Sequence, residues 1–309
     1  MHAIETSNHP PVRRENLEDL AGLHAHLRQR IRGQDQVLPR IVSVLNRGEM
    51  GLAKAGRPKG SLLLLGPTGV GKTEVTLGFT NYLMGPGHLF RFDMSEYQNQ
   101  ESLGLLLGAR VGERGTLGIA CEKMKRGTLL FDEIEKAHPR ILDIFLQIVD
   151  AARVTVADGE TLDLSGFYVV FTSNIGSADI LSLQNAPYTT MERHVLTRAQ
   201  QTLRPEMYAR ISEKLVFNRL TYEVQLEIAE MLLAAELKFL ASKGCALSAD
   251  KSVFGFLVRH GYSTRFGARP MRDAVEKYIG DAVTTDIFAG RTGAGKLVAD
   301  GELNRLVVT

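Results

Sequence analysis

Residues 66–73 read Gly66-Pro67-Thr68-Gly69-Val70-Gly71-Lys72-Thr73, a Gly-x4-Gly-Lys-Thr spacing suited to cradling the phosphates of a nucleotide. The glycines let the backbone bend so that its N–H groups face an anion, and the helix that should follow adds its positive end. Lys72 supplies a fixed cation for β- and γ-phosphates, and the Thr73 hydroxyl suits Mg²⁺. The context fits: an apolar run at 61–65 leads in and a helical pattern leads out. A second Gly-x4-Gly-Lys, Gly290 to Lys296, is an internal control. Leu297 replaces the hydroxyl residue there, and the segment lies between a helix end and a strand, so it reads as a turn.

The second group is Thr128-Leu-Leu-Phe-Asp132-Glu133, an apolar strand ending in two carboxylates. Asp132 suits Mg²⁺ through water, since hard cations take oxygen ligands. Glu133 can deprotonate an attacking water, which favours hydrolysis over transfer to a second substrate. A lone Asp-Glu is commonly just a solvated strand end; the phosphate loop beside it decides for the chemistry. Thr172-Ser173-Asn174 closes the next apolar strand. Its amide could position the water, and a strand-end turn explains the triplet equally well.

These residues need a frame. Apolar runs at 61–65, 89–93, 128–132 and 168–172 alternate with helical patterns that include 71–84 and 138–151. Continuous apolar strands separated by helices predict an α/β fold with a parallel sheet covered on both faces. Leu17, Leu20, Leu23, Leu27 and Ile31 predict a helix over 15–31, and a second follows over 34–54. Residues 153–164 predict a hairpin turning at Asp158-Gly159, and 214–217 a last strand. Beyond it the pattern becomes helical at 221–243, 248–260 and 267–289, with short strands at 297–299 and 306–308. The expected organisation is a loose tail at 1–14, a large domain at 15–219 and a smaller, mainly helical domain at 220–309.

Bulk properties narrow the classes. The 309 residues are 44% hydrophobic and 23% charged, an ordinary globular balance. No apolar run approaches a membrane span, and the first residues lack a secretory h-region. Net charge is +2 with no Lys/Arg block, which argues against nucleic acid as a partner. Two cysteines, Cys121 and Cys245, show no metal spacing and read as two buried thiols of a cytoplasmic protein.

Taken together, the strings identify a family. Ile31-Arg-Gly-Gln-Asp35, the 66–73 loop, Arg91-Phe-Asp-Met-Ser-Glu96, Asp132-Glu-Ile-Glu-Lys-Ala-His-Pro139, Arg204-Pro-Glu206, Arg210-Ile211 and Phe266-Gly-Ala-Arg-Pro270 occur in one order. In this the chain resembles the AAA+ ATPases of the Clp chaperone group, most closely the second ATPase module of the double-ring members. The resemblance implies a P-loop sheet with a helical lid domain, ATP and Mg²⁺ as ligands, and a homohexameric ring with ATP between neighbours. It further implies Asn174 as first sensor, Arg210 as the arginine finger given to the adjacent subunit, and Arg269 as second sensor. Ile31 and Arg32 fall where the family packs adenine.

The chain also departs from the family. Where the family threads polypeptide with Gly-Ala-Pro-Pro-Gly-Tyr-Val-Gly, this sequence has Gly108-Ala-Arg-Val-Gly-Glu-Arg-Gly115, placing Glu113 at the aromatic position. Aromatic rings give sequence-tolerant apolar contact, whereas Glu and Arg prefer water or charge. Ile175-Gly176 is followed by Ser177, unlike a peptidase-docking loop, and only a short tail and one helix precede the ATPase pattern. Two functions are therefore expected to compete. One is ATP-driven remodelling of a protein partner; the other is an ATP-regulated scaffold of a secretion, pilus or conjugation apparatus without threading.

Overall fold

The computed structural model describes residues 14–110 and 112–309, with side chains from Leu17 onward. The tail predicted for 1–14 lies outside the described residues, except that Arg14 begins the first helix.

In chain order the elements are α1 (Arg14–Arg30), α2 (Leu38–Glu49), β1 (Gly60–Leu65), α3 (Lys72–Met84), β2 (Leu89–Asp93), α4 (Ser102–Leu107), α5 (Gly115–Lys123) and β3 (Gly127–Asp132). Then come α6 (Pro139–Ala151), β4 (Arg153–Thr155), β5 (Thr161–Asp163), β6 (Phe167–Ser173), α7 (Ser177–Ser182), α8 (Tyr188–Thr202), α9 (Pro205–Arg210) and β7 (Glu213–Val216). The remainder is α10 (Tyr222–Ser242), β8 (Leu247–Ala249), α11 (Lys251–Gly261), α12 (Met271–Phe288), β9 (Gly295–Asp300) and β10 (Arg305–Val308). Two compact units result: residues up to Gly66 with Gly71–Asn218, and Pro67–Val70 with Arg219–Thr309.

The first unit is built on a five-stranded sheet in the order β2-β3-β6-β1-β7, with every pairing parallel. β1, β3 and β6 are buried along their whole length, as continuous apolar strands must be when helices cover both faces. Phe131 of β3 stacks on Phe92 at 5.0 Å and Phe171 at 5.6 Å, and Phe145 of α6 closes on it at 4.4 Å. This tilted and stacked group contributes beyond its buried area. β4 and β5 form the predicted hairpin.

The second unit packs α10, α11 and α12 around Leu233, Val253, Leu257, Val275 and Ile279. Its three-stranded sheet runs β10-β9-β8, and Leu297 and Leu306 carry that sheet into the same core.

Several boundaries differ from the sequence pattern for local reasons. The helix expected over 34–54 occupies only Leu38–Glu49, because Pro39 belongs in a first turn and Gly51 turns left-handed beyond the end. The segment expected to begin a helix at 248 first forms β8, and Asp250 then caps α11 by accepting from Ser252 N–H. α12 starts at Met271 rather than 267, directly after Pro270. α4, α7 and α9 carry no legible periodicity, since each has only six residues. Of the two thiols, Cys121 is buried as expected, but Cys245 is only half-buried. Burial pushes the Cys121 thiol up to about 12, so it is inert.

Candidate functional site

Parallel pairing decides where the chemistry gathers. The register sets Leu65 opposite both Ser173 and Val216, and Asp93 opposite Asp132. The phosphate loop after β1, the carboxylates at the end of β3 and the polar triplet ending β6 therefore share one carboxyl edge, where open α/β sheets bind ligands.

At Gly66 the backbone takes φ 143, and a Cβ there would sit 2.8 Å from Phe217 O, so this turn needs glycine. Lys72 opens α3 and is 92% buried, being only 8% exposed. Its ammonium donates to Gly66 O and, at 3.2 Å, to Asn174 Oδ1. Thr73 follows in the first turn of α3, half-buried, and Gly71 precedes it with φ 107. Ile31 is buried, with methyls 3.7 and 3.9 Å from where a Cβ on Gly71 would stand. The neighbouring Arg32 guanidinium donates to Arg28 O at 3.3 Å. Pro67, Thr68, Gly69 and Val70 form the rest of the loop and group with the second unit.

Asp132 is buried, with one hydrogen-bond partner on each oxygen. Its Oδ1 accepts from the Thr172 hydroxyl at 2.7 Å, and its Oδ2 from Arg91 Nε. Thr172 in turn accepts from Glu133 N–H at 3.2 Å, tying β6 to the turn after β3. Glu133 has a left-handed backbone, φ 57 and ψ 51, which is uncommon for a residue with a side chain. Its Oε1 accepts from Asn174 Nδ2 at 3.1 Å and its Oε2 from Lys136 Nζ at 2.5 Å. The hydrogen bond to Glu133 holds the Lys136 ammonium above the usual lysine range. Asn174 thus bridges Lys72 and Glu133, and its own N–H donates to Glu135 Oε1 at 3.0 Å.

Five predicted residues, Lys72, Thr73, Asp132, Glu133 and Asn174, come to this edge. Arg210 stands elsewhere, at the end of α9, where its guanidinium pairs with Asp150 of α6. Arg57 Nη2 takes the same carboxylate at 3.3 Å, and Arg210 chiefly holds the Asp150 carboxyl below the usual range. Arg269 is exposed in the second unit, between Gly267 and α12. Arg91, Lys136, Asp150 and Thr172 carry no role in the sequence reading. Only Lys136, three residues after Glu133, leaves a usable signal there.

The oxygens available suit Mg²⁺. Among the described residues no group of three or more His, Cys, Asp or Glu side chains could hold a metal. Mg²⁺ does not need one, since it binds through one or two carboxylates plus phosphate and water. Asp132 and the Thr73 hydroxyl are hard donors of that kind.

The loop with Glu113 is closed on itself. Gly108 has φ 95, and a Cβ there would lie 2.0 Å from Glu113 O. Glu113 Oε2 accepts from Ala109 N–H at 3.0 Å. Arg114 pairs with Asp158 at 3.3 Å and Glu160 at 2.8 Å in the β4–β5 hairpin. Glu113 and Arg114 are therefore engaged by the protein itself, while Arg110 of the same loop is exposed.

Residues 57–214 match the family described as AAA domain (Cdc48 subfamily), and residues 220–299 match the C-terminal, D2-small domain of ClpB protein. Heat shock protein 100 of Trypanosoma brucei brucei is 37% identical over 270 residues, covering 85% of this chain and 31% of the relative. Chaperone protein ClpB of Aquifex aeolicus (strain VF5) is 34% identical over 309 residues, 94% of this chain and 31% of the relative. A closed-state cryo-EM reconstruction of Hsp104 with ATPγS and FITC casein superposes with a TM-score of 0.85 at 26% identity, over 96% of this chain and 52% of that one. The chain spans about a third of the length of the curated relatives it matches.

Proposed function

We propose that this chain, which belongs to the AAA+ ATPases and carries a ClpB-type small domain, hydrolyses ATP and couples the cycle to remodelling of a protein partner. The observation that carries the reading is the linked group Lys72–Asn174–Glu133 at the carboxyl edge, with Asp132 beside it. The 66–73 loop and Lys72 hold the β- and γ-phosphates. Glu133 takes a proton from a water as its oxygen bonds the γ-phosphorus and the bond to the β-phosphate oxygen breaks. Asn174 keeps the Glu133 carboxylate and Lys72 in register. Asp132 and Thr73 hold Mg²⁺, which neutralises charge on the phosphate oxygens.

The chaperone names of the relatives and the casein in the Hsp104 reconstruction support action on protein substrates, and the reading adds a hexameric ring working in the cytoplasm. In that ring Arg210 is given to the neighbouring subunit's γ-phosphate, Arg269 reads the nucleotide in its own subunit, and Ile31 and Arg32 flank the base. The scaffold alternative is not favoured, because the relatives sharing both domains are named as chaperones or heat shock proteins. No helix among the described residues is long and apolar enough to cross a membrane.

The test is Glu133→Gln. Phosphate release should fall by at least about 10²-fold, as loss of a general base predicts, while ATP binding persists. Unchanged release would assign the base elsewhere.

A further inference from the structure

We propose that Lys136 is a positioning residue for hydrolysis, holding the Glu133 carboxylate in one orientation through Oε2 while Asn174 holds it through Oε1. The inference rests on Glu133 being the base. A carboxylate offers about four acceptor sites on two oxygens. Asn174 Nδ2 at 3.1 Å and Lys136 Nζ at 2.5 Å take one on each oxygen, so the carboxylate plane cannot turn without losing a partner. The remaining sites then point in defined directions, as a base that must meet one water requires.

The backbone is built to present this lysine. Glu133 is left-handed, and Ile134–Lys136 forms one turn of 3₁₀ helix, in which side chains three residues apart eclipse. Lys136 N–H donates to Glu133 O at 2.9 Å, which closes that turn directly over the base. The turn is anchored on both sides: Ile134 is fully buried, and His138 N–H donates to Tyr97 O at 2.9 Å. Asp93 and Glu135 also face the Lys136 ammonium, yet the hydrogen bond is to Glu133. The Lys136 side chain is 45% exposed. A pair that open adds little to stability, so a stabilising role would leave catalysis nearly untouched when the lysine is removed.

The experiment compares the full chain with Lys136→Met, Lys136→Arg and Glu133→Gln in steady-state ATP hydrolysis, with thermal melting and binding of a fluorescent ATP analogue alongside. Lys136→Met should lower kcat by roughly 10- to 100-fold, the range expected when a reacting group is misplaced by about 1 Å. Its KM and analogue affinity should stay within about twofold, and Lys136→Arg should recover most of the loss. Wild-type kcat in Lys136→Met, with Glu133→Gln inactive, would overturn this inference and leave the base in place. Weakened analogue binding at unchanged kcat would also overturn it, making Lys136 a nucleotide contact. Activity in Glu133→Gln would instead remove the base reading on which it rests. If Lys136→Met fails to melt cooperatively, Lys136→Gln decides by the same comparison.

Discussion

Arg210 illustrates how much a single charged residue depends on its neighbours. Its side chain is 43% exposed and its guanidinium shares the Asp150 carboxylate with Arg57, so two cations meet one anion. The surplus positive charge stays at the surface, where a second subunit's phosphate could use it. Surface pairs of this kind are weak, so Asp150 orients the guanidinium without trapping it. On the proposed reading, Arg210→Ala should keep ATP binding and lower kcat by about 10³-fold or more, the scale of such fingers in other phosphoryl-transfer enzymes. Mixing the variant with Glu133→Gln subunits should restore part of the hydrolysis, because each supplies what the other lacks. Normal turnover by Arg210→Ala alone would exclude it from the site. Lys72, Asp132 and Glu133 were legible from residue type and spacing. Their immediate partners Arg91 and Thr172 were not, since a cross-strand contact leaves no mark in sequence.

At the scale of elements, strands were easier to read than helices. β1, β3 and β6 are fully buried apolar runs, and their ends fall within about one residue of the pattern. α8 spans fifteen residues yet buries only Met191, Val195 and Ala199, too narrow a stripe to stand out. Side-chain caps set two helix starts in the second unit, Asp250 for α11 and Thr221 for α10. Thr221 begins α10 by accepting from Val224 N–H at 3.4 Å. Thr221→Ala should therefore destabilise the second unit by about 1 kcal/mol in urea unfolding, with the phosphate-site residues unaltered. A loss near zero would mean that this long bond does not cap the helix.

For the whole molecule, the proposed trans contribution of Arg210 makes hydrolysis a property of an assembly. ATP turnover per subunit should rise with protein concentration and level off as rings form, tracked in parallel by light scattering. A rate constant per subunit down to nanomolar concentration would show that one chain suffices. The loop holding Glu113 belongs to this scale as well. Glu113 satisfies Ala109 N–H, and Arg114 is tied to Asp158 and Glu160, so the segment is joined electrostatically to the β4–β5 hairpin. The sequence comparison flagged Glu113 as a departure, and the fold shows what its carboxylate holds.

The amino-acid sequence by itself determined the nucleotide loop, the acidic strand end and the α/β class, because those features rest on local spacing and continuous burial. It also distinguished the Gly66 loop from the Gly290 copy, whose Lys296 lies within strand β9 and pairs with Asp250 at 2.7 Å. Only the tertiary structure decided which groups hold the Asp132 and Glu133 carboxylates. Parallel register brings Thr172 to Asp132 across forty residues of sequence, and Asn174 to Glu133 across forty-one. A left-handed residue and a single 3₁₀ turn bring Lys136 back over Glu133. Pairing register is set by the packing of the whole sheet, so no local pattern can announce the Thr172 and Asn174 contacts, whereas the three-residue spacing of Lys136 from Glu133 is a local signal.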